Sequence, residues 1–425
     1  MAAPVSPVAS PTTKPKIRLD YALPSTTPVK RKPSLDFSLT GLVYCAMMLF
    51  MGLAAVNTQA NLLFGVFGLM VGILLVSGVI SRFVLRKLAI RRVLPDHGVV
   101  GRPMTVTYEF RNEKRFWPSL SLCIAELDGV EGFTKQPQCY LLHAAPGMTA
   151  LVPAELVPKR RGLHELDRYQ LSTSFPFGFV KRAIVRKHRD SVLILPPAAR
   201  VSRRLLAMCR SAENIGSSMR PRAGGNDEFY GLREFRHGEN PRMIYWRRSA
   251  RTGVLVAREM TQVAPPRLLL VVDTFAENRS VEEHVRIERS IAMAGSLAAM
   301  ALDEEMSVGL FVWSGDWVAM TPERGKRHRD ELLSVLARLP LNTEHRAAEL
   351  MERVGPMLHS GTTPVLFTPR DVQLGLSERS RGSMIVVSVA SQAADNWFQF
   401  DPEIDFATAM PADQQPKIEG VGSKR

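Results

Sequence analysis

The sequence predicts an α/β domain and a β-sandwich-like module, both behind a two-helix transmembrane hairpin. Three observations carry that expectation. No charged residue occurs from Phe37 to Ser81. From about 93 to 197 short apolar–polar alternations dominate, the period of half-buried strands. From 265 to 391 unbroken apolar runs alternate with helical periodicity, the pattern of a sheet covered on both faces.

The uncharged run is 45 residues long, enough for two spans of about 20 residues each. A polar break, Asn57-Thr58-Gln59-Ala60-Asn61, divides it into helices expected over 39–56 and 62–80. The run is too long for a cleaved signal peptide and starts too far into the chain. Basic residues flank it: Lys30, Arg31 and Lys32 before, and Arg82, Arg86, Lys87, Arg91 and Arg92 after, while the connecting turn carries no charge. Positive flanks stay cytoplasmic, so both termini are expected in the cytoplasm of a cell with an inner membrane. The preceding segment, 1–36, is rich in Pro, Ser and Thr and basic, and reads as a disordered tail.

In the β module, Met104, Val106, Tyr108 and Phe110 alternate with polar residues, as do Leu120, Leu122 and Ile124. The loops Lys159 to Gly162 (KRRG) and Phe175 to Gly178 (FPFG) read as surface features, the second as a packed turn. In the α/β region, Arg267 to Asp273 is an apolar run ending in a carboxylate. Ile287, Ile291, Ala294, Ala298 and Ala301 then share one helical face over 281–302. Further strands are expected at 306–313, TPVLFT and MIVVSV, with helices over 327–339 and 345–358. The last segment, 392–425, reads as a flexible tail.

Between the two folded regions lies the most distinctive stretch, 221–262. Its residues Arg222 to Glu259 hold eight arginines, five acids, five aromatics and no lysine. Arginine suits bidentate contacts and stacking on rings. Strands are expected on either side of a short helix over 241–250, with Asn240 as N-cap, Pro241 in the first turn and a break at Thr252-Gly253. Internal pairing of Arg233, Arg242 and Arg251 with Asp227, Glu228, Glu234 and Glu239 competes with a role in partner contact.

The net charge of +14 points to an anionic neighbour, or to a membrane protein with many cytoplasmic basic residues. Four dispersed cysteines make neither a disulfide framework nor a zinc pattern. There is no phosphate-loop motif, no GxSxG and no HExxH, and no nucleophile, base and oxyanion donor fall together. A non-enzymatic role is therefore expected. Asp273, at a strand's carboxyl end, is the best single candidate for a polar site. His237 reads as a surface turn residue.

The segments GGNDEFYGLREF, HGENPR and IYWRRSARTGVLVARE closely resemble the signature of the domain of unknown function 58 family. The apolar hairpin and the KRRG, SFPFGF and VLILPP segments are similar to that family's upstream parts, so the resemblance covers about Leu35 to Trp313. Glu239 departs from it, since Asp is commoner there. The resemblance implies that the α/β domain is von Willebrand factor A-like (Rossmann-like) and that the chain is associated with MoxR-type AAA+ ATPases. It makes Glu228, Phe229, Arg233, Arg236, Glu239, Arg242, Trp246, Arg247, Ser249 and Arg251 the signature or partner-binding set. The functional expectation is a membrane-anchored scaffold or adaptor acting with such an ATPase in assembly or maturation of envelope or metalloprotein complexes. An alternative is a divalent-metal-dependent binder or hydrolase, with Asp273, Thr274 and Glu277 around Mg²⁺. In von Willebrand factor A-like domains a DxSxS motif supplies the metal ligands, but here Phe275 and Glu277 stand at the serine positions, so no cofactor is firmly expected. A third reading is binding of anionic lipid or nucleic acid; the five acids of the signature argue against specific nucleic-acid recognition.

Overall fold

The structure, a computed structural model, describes residues 27–28, 34–216, 223–236, 238–261, 266–278, 280–355, 358, 362–371, 384–409 and 411. In chain order, β1 (Thr27–Pro28) and β2 (Ser34–Phe37) precede the apolar helices α1 (Leu39–Thr58) and α2 (Asn61–Val84). Ser38 caps α1 by accepting from the Gly41 N–H at 3.0 Å, and Gln59 ends it in the left-handed region. Both helices are long and apolar enough to cross a membrane, and little of either is buried in protein. At 1.5 Å per residue they span about 30 and 36 Å, against a hydrocarbon core of about 30 Å.

The sandwich follows: β3 (Leu88–Val93), β4 (His97–Val99), β5 (Met104–Asn112), β6 (Ser119–Glu126), β7 (Gln138–Ala144), β8 (Thr149–Leu156), β9 (Gly162–Thr173) and β10 (Val180–Leu195). One sheet runs β1-β10-β9-β6-β7, with β2 and β4 also on β10; the other runs β3-β5-β8. Val106, Tyr108 and Phe110 from β5 meet Leu122, Ile124, Leu166, Leu171 and Ile194 from the facing sheet. The alternation read in the sequence is the burial pattern of β5.

Beyond it come β11 (Arg200–Val201), α3 (Arg203–Gly216), β12 (Ala223–Glu234), α4 (Trp246–Thr252), β13 (Val256–Thr261), β14 (Arg267–Val272) and α5 (Val281–Asp303). The chain continues through β15 (Ser307–Trp313), β16 (Trp317–Glu323), α6 (Lys326–Arg338), α7 (Ala347–Val354), β17 (Thr362–Thr368), β18 (Ile385–Ser388), α8 (Gln392–Trp397) and β19 (Phe398–Gln399). The five-stranded sheet has the order β16-β15-β14-β17-β18, parallel except for the edge strand β16. Leu268, Leu270 and Val272 of central β14 face α5, α6 and α3, whereas Leu269 and Val271 face α7. That two-sided burial explains why β14 reads as an unbroken apolar run. The molecule is thus two apolar helices followed by an α/β mixed-sheet body with a β-sandwich between them.

Several expectations need correction. The N-terminal segment 1–36 is not wholly free: β1 and β2 pair antiparallel with β10, Phe37 opposite Val180 and Ser34 opposite Ala183. The rest of that segment lies outside the described residues. The C-terminal segment from 392 is not free either. Its β19 pairs with β11, Phe398 is buried in the α/β core and Ala409 in the sandwich core. Residues 412–425 lie outside the described set. These strands are only two to four residues long, too short for a period to register in the sequence.

The FPFG turn docks on the hairpin. Ser38 N–H donates to the Phe179 carbonyl at 3.1 Å, Ser38 Oγ to the Gly178 carbonyl at 2.5 Å, and Tyr44 stacks on Phe179 at 4.1 Å. Gly41 is required at this contact, because a Cβ there would stand 2.1 Å from the Phe179 carbonyl oxygen.

The KRRG loop is the largest surprise. Arg161 is not a surface residue but one of the largest fully buried side chains. It holds Glu288 of α5 bidentately, Nε to Oε2 at 2.7 Å and Nη2 to Oε1 at 2.8 Å. It also donates to the carbonyls of Leu336, Ala337 and Leu339 at 3.1, 3.0 and 2.9 Å. Its backbone N–H donates to the Ala409 carbonyl at 2.9 Å. One side chain therefore joins the sandwich to two helices of the α/β body, while its backbone ties down the C-terminal segment.

Candidate functional site

Two regions answer to the sequence candidates: the carboxyl-end rim of the parallel sheet and the arginine-rich stretch. At the rim, Asp273 follows β14 and is 1% exposed. Its Oδ1 accepts from the Phe275 N–H at 3.0 Å and its Oδ2 from Thr368 Oγ1 at 3.1 Å. One oxygen thus serves the turn and the other the end of the neighbouring strand β17. Thr274 is equally buried, and its Oγ1 has no partner among the described residues. Glu277 points elsewhere: it pairs with Arg346 at 3.1 Å and Arg370 at 3.4 Å. Arg370 also donates to the Phe275 carbonyl at 2.7 Å and to Glu283 at 2.6 Å, and both guanidiniums lie over the Phe275 ring.

The expected metal set of Asp273, Thr274 and Glu277 is therefore not assembled as ligands. A hard cation needs several converging oxygens. Here Asp273 bonds within the protein while Glu277 is taken up by guanidiniums, and the positive charge beside the rim is that of Arg346 and Arg370. Among the described residues no group of three or more His, Cys, Asp or Glu is arranged for a metal. Asn342 is a rim residue that the sequence reading missed. It is 1% exposed, bridges to Phe275, and its Oδ1 accepts from the N–H groups of Glu344 and His345. Only the Asn-Thr after Pro340-Leu341 hinted at a turn there.

Burial pushes the Asp273 carboxyl above the ordinary carboxylate range, against the opposing pull of the Phe275 N–H, Thr368 and Arg370. The folded state therefore binds the proton more tightly than the unfolded chain does. Stability falls as pH rises from below the ordinary carboxylate range through the raised value. Asp273→Asn keeps an acceptor for Phe275 and carries no buried charge. It is expected to match or exceed the parent at neutral pH, with a gap that widens from acid to neutral pH in thermal melts of the full chain. Millimolar Mg²⁺ is expected to shift neither melt. A Mg²⁺-dependent rise lost in Asp273→Asn would restore the metal reading.

The second region forms an arm. β12 and β13 make an antiparallel hairpin, with Leu232 opposite Arg258 and Glu234 opposite Val256. The helix expected over 241–250 is split into a 3-10 turn at Pro241–Met243 and α4 at Trp246–Thr252. Asn240 does cap the first turn, accepting from the Arg242 N–H at 3.1 Å, and Gly253 closes α4 at φ 72°. The break falls at Ile244 and Tyr245, where the chain bridges to Ala257 and Tyr245 N–H donates to the Val256 carbonyl. That pairing outweighs continuing the helix.

Ser249 holds α4 to the hairpin: its Oγ donates to the Tyr245 carbonyl at 3.1 Å and accepts from the Val256 N–H at 2.9 Å. Of the expected ion pairs, Arg233–Glu239 is present at 2.7 Å, and the Glu239 carboxylate also accepts from the Arg236 N–H. Arg233 keeps the Glu239 carboxyl below its usual value. Arg242 and Arg251 have no acidic partner among the described residues. The side chains of Asp227, Glu228 and Phe229, and all of His237, lie outside the described set.

Among the described residues, every hydrogen bond, ion pair and ring contact of the arm closes within 223–261. What it leaves outward is Trp246, 64% exposed, together with Arg236, Arg242, Arg247, Arg248 and Arg251. No acid lies between Asn240 and Arg258.

The comparisons fall on both regions. The family model described as "Protein of unknown function DUF58" matches residues 231–365, from within β12 to within β17. No curated protein matches the chain significantly. The matched segment, which holds the Trp246 helix of the arm and the Asp273 rim alike, belongs to the DUF58 family.

Proposed function

We propose that the chain is a membrane-anchored adaptor. The hairpin sits in the inner membrane, the sandwich carries the α/β body at a fixed position, and the arm presents arginines and Trp246 to an acidic face of a protein partner. The partner implied by the family resemblance is a MoxR-type AAA+ ATPase, and the task is assembly or maturation of envelope or metalloprotein complexes. The reading rests on the arm: among its described residues the bonds close on themselves and leave one tryptophan and five arginines outward. Tryptophan and arginine are the residues that most often dominate binding energy at interfaces. The pairing of β2 with β10 supports both ends of the hairpin lying on one side of the bilayer, and basic flanks support the cytoplasmic side. A sheet with its first strand central and one antiparallel edge supports a von Willebrand factor A-like body.

Co-expression of the full chain with the ATPase, followed by capture from mild-detergent membranes, tests this. Trp246→Ala combined with Arg247→Glu and Arg251→Glu is expected to lower ATPase recovery by at least about tenfold. Membrane insertion and the melting temperature should stay unchanged. Unchanged recovery, or no ATPase captured by the parent chain, overturns the reading.

A further inference from the structure

The loop between β5 and β6, 113–118, spends buried polar groups to hold two aromatic side chains in the open. Asn112 is fully buried and donates to the Trp117 carbonyl at 3.0 Å and the Ala144 carbonyl at 2.9 Å, while its Oδ1 accepts from the Lys114 N–H at 3.1 Å. Lys114 Nζ reaches across to the Val84 carbonyl at the end of α2 at 2.7 Å, and Ser119 Oγ donates to the same carbonyl at 2.9 Å. These contacts satisfy a carbonyl that the helix end leaves orphaned and place a cation at its negative pole. The outcome is a fixed loop whose Phe116 and Trp117 are 77% and 62% exposed.

The loop stands level with the end of a membrane span. Helix α2 is about 6 Å longer than a hydrocarbon core of about 30 Å, so its last turn lies among headgroups. Trp117 and Pro118 line a small apolar pocket of about 110 Å³ with Ile80, Phe83 and Val84 of that turn. Rings at this depth belong to the interfacial belt, where tryptophan places its apolar body and polar N–H together. Arg82, Arg86 and Lys87 close α2 or follow it, Arg115 lies in the loop itself, and Lys181 and Arg182 open β10, where Lys181 stands opposite Asp36. Burial first, and then the neighbouring Arg82, press the Arg182 guanidinium below its usual value. Helix α2 packs against β10 at this end, so Arg82 near the close of α2 and Arg182 near the start of β10 put two cations at one junction, with no acid paired to either among the described residues.

We propose that this collar is a binding site for anionic phospholipid of the leaflet facing the sandwich, with Phe116 and Trp117 seated at the acyl–headgroup boundary and Arg82 and Arg182 on the phosphate. The site orients the sandwich on the bilayer independently of any protein partner at the arm. Its lipid has a net negative headgroup, since each basic residue at an anionic surface strengthens binding to it by about fivefold.

The full chain in nanodiscs tests this. Fluorescence of the parent minus that of Trp117→Phe isolates Trp117 from the other tryptophans. The discs contain equal mole fractions of either brominated phosphatidylglycerol or brominated phosphatidylcholine in an otherwise unlabelled phosphatidylcholine bilayer. The Trp117 signal is expected to be quenched by both, at least about twofold more by the anionic lipid. Arg82→Gln with Arg182→Gln should abolish the preference and keep the quenching. Equal quenching in the parent overturns the anionic site. Quenching by aqueous acrylamide but by neither lipid overturns the membrane seat altogether.

Discussion

Replacing Arg161 with Met is expected to destabilise the full chain by about 3–5 kcal/mol, because it leaves a buried carboxylate without its cation. Glu288 has a fully buried side chain, and Arg161 is its bidentate partner. Three carbonyls at the end of α6 lose their donor in the same step. Denaturant unfolding followed by fluorescence reads the loss, and limited proteolysis should cut between the sandwich and the α/β body. The double variant Arg161→Met with Glu288→Met is expected to recover much of the loss, since it removes the stranded charge while the carbonyls stay unpaired. A single variant within about 0.5 kcal/mol of the parent would show that the two bodies are not held through this residue.

Arg92→Leu is expected to cost a similar amount, about 3–5 kcal/mol, but within the sandwich. Arg92 of β3 grips Glu126 of β6 with Nε and Nη2 at 2.8 and 3.0 Å. Its Nη1 donates to Asp190 and to the His188 carbonyl of β10, each at 2.7 Å. Tyr108 of β5 donates to the same Glu126 at 2.9 Å, and the guanidinium lies 5.1 Å from the Tyr169 ring. One cation thus links both sheets of the sandwich. Glu126→Gln keeps an acceptor and removes the charge that strands when Arg92 is gone. The pair Arg92→Leu with Glu126→Gln should therefore be less unstable than Arg92→Leu alone. Equal losses would place the cost in packing of the long side chain instead.

These two arginines show where the sequence was legible and where it was not. Elements whose signal is a period could be read: the uncharged hairpin, the alternation of β5, the apolar run of β14 and the Ile287–Ala301 face of α5. Arg92 and Arg161 sit in basic runs, RR and KRRG, that look like surface or membrane-flank charge. Their partners Glu126 and Glu288 lie 34 and 127 positions away, so nothing local marks them as buried. The same holds for the short strands β2 and β19, which exist through pairing with β10 and β11. At the candidate site, Asn240, Pro241 and Gly253 announced a turn and a helix end. The split of the helix depended on the Ile244–Ala257 bridge across the hairpin, which no window of 241–250 contains. Asp273 was correctly placed at a strand end, but its hydrogen bonds to the turn and to Thr368 of β17, and the charge of Arg370, needed coordinates.

A photo-crosslinking residue in place of Trp246, in the full chain within native membranes, tests the adaptor reading most directly. The expected result is an irradiation-dependent adduct with a MoxR-type AAA+ ATPase that disappears when Arg247 and Arg251 are both changed to Glu. Adducts confined to lipid or to other copies of the chain, with the ATPase present, would contradict it.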